Sequence, residues 1–120
     1  MPKKLIFNMI RANDVREPVQ YHPIIFMRGS RSWRLALHRD PVLAGKGEWT
    51  ISDPVGGYRV CRVTASYKGV PVSSRDLTVT QARAAALVDL DLTVDRIGLD
   101  RFAQVLDAAQ NPKPVHPLKG

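Results

Sequence analysis

The apolar residues of this 120-residue chain change their period near residue 75. Before that point they alternate with polar ones, the pattern of a strand with one buried face; after it they recur every three or four positions, the pattern of an amphipathic helix. Such a chain must build its sheet first and cover it with helices afterwards. The expected fold is therefore α+β: a small, mostly antiparallel sheet of four to five strands with two C-terminal helices packed on one face.

The strands can be placed individually. Residues 5–10, LIFNMI, read as a first strand, and residues 11–22 as a loop or extended crossing segment. Residues 24–39 read as a hairpin turning at Gly29 and Ser30, with Trp33, Leu35 and Leu37 alternating against Arg34, Ala36 and His38. Residues 40–48 form a loop, Trp49 and Ile51 open a further strand, and Asp53-Pro54 with Gly56-Gly57 turns the chain. YRVCRVTASYK, residues 58–68, reads as one strand with Cys61, Val63, Ala65 and Tyr67 inward. VPVS follows as an edge piece, because Pro71 lacks the amide proton a central strand needs.

In the second half, Thr78-x-x-Gln81 fits a capping box, and Val79, Ala82, Ala86 and Leu90 form one stripe. Leu99, Phe102, Ala103, Leu106 and Gln110 form a second stripe. Between them, Asp89 and Asp91 are expected to end the first helix and Asp95 to begin the second. Acids at a helix C-terminus are disfavoured by roughly 0.3–1 kcal/mol, so a partner is expected for them, an arginine of the sheet in this chain or in another. Residues 1–110 form a single domain on this reading, and residues 111–120, with three prolines and no periodicity, a flexible tail.

Composition narrows the function classes. At 44% hydrophobic and 24% charged the chain resembles ordinary globular sequence. Its one cysteine, Cys61, excludes an internal disulfide framework and any zinc site built on two cysteines of this chain, and points to a reducing, cytoplasmic setting. Asn8 and Arg11 interrupt the N-terminal apolar run, so no secretory signal is expected, and no stretch nears the ~18 apolar residues that span a bilayer.

No catalytic constellation is legible. Cys61 lies on an inward face, the three histidines are far apart, and Ser73 and Ser74 lack a nearby histidine and acid. Gly45-Lys46-Gly47 is followed by Glu48 rather than the serine or threonine of a phosphate loop. A non-enzymatic protein without metal or cofactor is expected.

Charge supplies the remaining signal. Residues 1–75 carry 13 basic and 5 acidic side chains, and residues 76–120 carry 5 and 6. The densest stretch sets Arg28, Arg31, Arg34 and Arg39 around Trp33 with no acid until Asp40. Guanidinium groups bind phosphate or carboxylate in pairs and stack on flat rings. Together with His38, Lys46, Arg62 and Lys68 these arginines are the candidate binding residues, on a sheet face that would track a sugar-phosphate backbone. Duplex is expected over single strands, because Trp33, Trp49 and Tyr67 point inward and only Tyr58 offers an exposed ring.

WTIS, the GG turn, YRVCRVTASYKG, VPVS and TQARAAAL, within residues 48–90, loosely resemble the small DNA-binding domains at the front of phage-type integrases. That resemblance implies a three-stranded sheet presented to a DNA groove and braced by one helix. The alternative is a protein-interaction module, such as a small phage-type inhibitor or accessory protein docking on the acidic surface of a larger nucleic-acid-processing enzyme. Its charge pattern would look the same.

Overall fold

The computed structural model describes residues 5–10, 15–39, 47–67 and 70–110. Five antiparallel strands follow one another in chain order across a single sheet: β1 (Leu5–Ile10), β2 (Arg16–Arg28), β3 (Arg31–Arg39), β4 (Trp49–Ser52) and β5 (Arg59–Arg62). A separate two-stranded ribbon, β6 (Ala65–Tyr67) and β7 (Val70–Val72), precedes two helices, α1 (Val79–Ile97) and α2 (Leu99–Gln110). The α+β class, the antiparallel sheet and the C-terminal helix pair are as the periodicity requires.

Strand alternation divides the sheet into two faces. Ile24, Phe26, Trp33, Leu35, Leu37, Trp49, Ile51 and Val63 are buried on the helix side, against Ala82, Ala86, Leu90 and Val94 of α1 and Phe102, Ala103 and Leu106 of α2. Two alanines in the α1 stripe let that helix approach the sheet closely, and each large side chain buried here contributes roughly 1.5–3 kcal/mol. The capping box is present in full: the Thr78 hydroxyl accepts from the Gln81 amide, and the Gln81 side chain accepts from the Thr78 amide. Such a cap stabilises a helix start by about 1 kcal/mol.

The opposite face is also covered, which strand spacing alone did not suggest. Residues 16–21 of β2 pair with β1 and residues 22–28 with β3, so this long strand changes partner midway. Pro18 and Pro23 lie where β2 has a strand on one side only, a position that tolerates proline. They therefore do not end the strand, and part of the expected loop at 11–22 is sheet. The β1 hairpin brings Phe7 and Val19 onto Ala36, with the Phe7 ring 5.1 Å from the ring of His38. At the far end of β1, the Ile10 amide donates to the Gly57 carbonyl at 2.9 Å, joining the first strand to the turn between β4 and β5.

Three further expectations are corrected. The strand read over 58–68 breaks after Arg62, because Asp89 of α1 accepts from both the Thr64 amide and its hydroxyl, each at 2.6 Å. Residues 48–90 thus supply two strands of a five-stranded sheet, a separate ribbon and α1, not the three-stranded unit of the integrase-like resemblance. The first helix does not stop at the aspartates but runs to Ile97, ending at Gly98 with φ of 92°. The expected tail, residues 111–120, lies outside the described residues.

The aspartates do have the partners that their position demands. Arg28, at the end of β2, donates to Asp91 at 3.0 Å and Asp95 at 2.6 Å, and these two acids raise the already high pKa of its guanidinium. Asp89 takes Thr64 as described. The hairpin is likewise tied to α2: Arg31 pairs with Asp107, Trp33 donates its ring N–H to Asp107 at 3.1 Å, and Gln110 donates to the Arg34 carbonyl at 2.7 Å. β3 outruns β4 at this end, and α2 closes the gap.

Candidate docking groove

The candidate basic residues separate into three groups. Arg28 and Arg31 are bound to the helices as above. Arg39 lies 4.4 Å over the Trp49 ring and donates to the carbonyls of Gly47 at 3.2 Å and Arg75 at 2.8 Å, so it fastens the end of β3 to the short turn at Ser74–Asp76 that precedes α1. His38, expected on a solvated basic face, is 1% exposed: Nε2 is 2.7 Å from the Ser52 hydroxyl, Nδ1 is 2.9 Å from the Arg39 carbonyl, and Phe7 covers the ring. Arg34 and Arg62 remain exposed. Lys46 and Lys68 lie outside the described residues. The hairpin therefore spends most of its basic side chains on internal contacts among the described residues.

A different surface combines shape, apolar area and uncommitted charge. Asp53 opens the β4–β5 turn, accepting with its carboxylate from the amides of Val55 at 3.0 Å and Gly56 at 2.9 Å and from Gln110 at 3.1 Å. This buried acid fixes the turn and pins the end of α2 beside it. Between the turn, the C-terminal part of α1 and α2 lies a groove of about 410 Å³, with Phe102 and Leu106 at its floor and Tyr58, Ile97 and Val105 at its margins. Tyr58 is 59% and Val105 52% exposed, so these side chains offer apolar area to a partner.

The groove continues along β5. Arg59, Val60 and Thr93 line both the apolar end and a second depression that runs between β5 and α1, past Arg62, Leu92 and Arg96. On α1 the residues facing this depression, Asp89, Leu92, Thr93 and Arg96, follow helical spacing, so one flank of the helix forms its wall. None of the ion pairs among the described residues involves Arg59, Arg62 or Arg96. The one acid here, Asp89, already has both oxygens engaged by Thr64. Arg59, Arg62 and Arg96 thus border the depression without an ion-pair partner among the described residues, and the Asp89 carboxylate is held by Thr64.

Cys61 lines the same depression, half-buried. Burial, with the nearby Asp89 charge, pushes its thiol up to about 11. At pH 8 roughly one thiol in a thousand is then ionised, against about one in four for an ordinary cysteine, and only the thiolate reacts. Labelling by a maleimide is expected to be about two orders of magnitude slower in the native protein than in denaturant; comparable rates would refute this assignment. The sign of the linkage follows: stability from this group is complete well below the ordinary thiol pKa of about 8.5 and is lost as pH rises from there to about 11, since the unfolded chain releases the proton first.

Sequence reasoning identified Tyr58 as an exposed ring and Arg62 as a binding residue but missed Arg59, Arg96, Ile97 and Val105. A signal did exist, because Ile97 and Val105 are apolar residues off the two core stripes. Among the described residues, no three His, Cys, Asp or Glu side chains gather where a metal could sit, and no helix is long and apolar enough to cross a membrane. No family model, curated protein or solved structure matches the chain.

Proposed function

We propose that this chain is a non-enzymatic protein-docking domain that receives an acidic, partly apolar segment of a partner in the groove between β5 and the two helices. One observation carries the reading: Arg59, Arg62 and Arg96, which border exposed apolar surface, make no ion pair among the described residues, whereas three of the four hairpin arginines, Arg28, Arg31 and Arg39, are engaged within the fold. Apolar anchors flanked by complementary charge are how protein interfaces obtain both affinity and orientation. A cytoplasmic setting, where a single thiol stays reduced, accords with this role.

The test is retention of a host protein by the tagged full-length chain after nuclease treatment, compared among three variants. Val105→Glu and Arg59→Glu are expected to abolish retention, and Arg34→Glu, on the opposite face of the hairpin, to leave it unchanged. The reading fails if the chain instead binds duplex DNA at about 50 mM salt, with affinity that falls steeply as salt rises and is lost in Arg34→Glu.

A further inference from the structure

The groove has an uncommon neighbour, because β5 is the last strand of the sheet. Its one strand partner among the described residues is β4, and no described strand lies beside its other edge. Such an edge invites pairing with another chain, and proteins that do not use one usually cover or blunt it. Here the edge lies beside a helix flank, with a depression between them that ends in the apolar socket over Phe102 and Leu106. Strand and helix together border a slot that runs along the four residues of β5.

Deepening the docking proposal and resting on it, we infer that the partner segment binds as a sixth strand, added to the free edge of β5. A regular strand alternates its side chains between two faces; in β5 the pairing with β4 is irregular between Ile51 and Ser52, so Arg59 and Arg62 share one face while Val60 and Cys61 between them pack on the helix side. On the helix side lie Val60, Leu92 and the socket with Ile97 and Val105. On the other side stand Arg59 and Arg62, paired across the sheet with Ser52 and Thr50, which face away from the helices. The segment that fits has apolar residues at every second position and carboxylates between them. Main-chain hydrogen bonds supply affinity in this mode, and the alternating side chains supply selectivity.

The chain's own last ten residues do not answer this description. NPKPVHPLKG contains Lys113 and Lys119 and no acid, so it meets Arg59, Arg62 and Arg96 with like charge, and its three prolines remove donors a strand needs.

The experiment uses the full chain and an eight-residue peptide alternating leucine with glutamate, blocked at both ends, in three forms: unmodified, and N-methylated on either alternate set of amides. Strand addition turns one set towards β5 and the other to solvent. Binding of the unmodified peptide, measured by fluorescence anisotropy, is expected to weaken about tenfold or more when one set is methylated and to change little when the other is. A peptide with lysine in place of glutamate is expected not to bind, and Arg59→Glu with Arg62→Glu to abolish binding of the acidic one. Equal tolerance of both methylated sets, or no binding of the unmodified peptide, overturns strand addition. If host-protein retention still depends on Val105 in that case, docking stands and only its strand geometry falls; if retention is lost as well, both fall.

Discussion

Replacing Phe102 with alanine is expected to cost about 3–5 kcal/mol, a large part of the roughly 5–15 kcal/mol that holds a domain together. Phe102 is 2% exposed and meets the rings of Phe26 at 5.6 Å and Trp33 at 5.2 Å, both edge-on. The same three-ring cluster joins the hairpin to α2, so truncation opens a cavity and removes ring contacts on both elements at once. Urea denaturation followed by tryptophan fluorescence reads the result directly, because Trp33 lines the cavity. A loss below about 1 kcal/mol would mean that α2 is not seated on the hairpin as described.

Gly57→Ala is the second large effect. Gly57 has φ of 85°, and a Cβ there would lie 2.4 Å from the Asn8 carbonyl oxygen, a main-chain atom that cannot swing aside. Left-handed strain of about 1–3 kcal/mol adds to overpacking of about 1–3 kcal/mol. The expected consequence is release of β1 from the β4–β5 turn, with faster amide exchange through Leu5–Ile10 and exposure of the cluster around Phe7. Gly98→Ala provides the comparison: its φ is 92°, but nothing lies within 4 Å of the added carbon. It should pay for backbone strain alone. Equal costs for the two variants would show that β1 does not rest on Gly57.

Local features of the chain were legible because their causes are local. The switch of period at residue 75, the Gly29–Ser30 turn, the Thr78–Gln81 cap and the inner stripes of both helices each depend on residues a few positions apart. The aspartates mark where that reasoning ends. Three acids near an expected helix end looked like a boundary, yet α1 continues through them because Arg28 and Thr64, remote in sequence, satisfy their charge. The ion pairs of Arg28 and Arg31 are hidden from the sequence for the complementary reason, since Asp91, Asp95 and Asp107 come from helices that only the folded chain brings near. His38 was read as solvated from the alternation of its own strand, which cannot reveal that β1 folds over it. The groove draws on the β4–β5 turn, β5, α1 and α2, elements that only the folded chain brings together, and in the sequence the exposed ring of Tyr58 and the apolar surplus of Ile97 and Val105 are its separate hints.

The central claim is that recognition occurs at the β5 groove and by a protein segment, not at the arginine hairpin and by phosphate. Titrating the isotope-labelled full chain with the acidic alternating peptide, and separately with a DNA duplex of about 20 base pairs at about 50 mM salt, tests it residue by residue through amide chemical shifts. The account predicts that the peptide moves the amides of Tyr58–Arg62, Thr93, Ile97 and Val105 and leaves Arg31–Arg39 in place. It would be contradicted by a duplex that shifts the hairpin around Arg34 while the peptide shifts nothing.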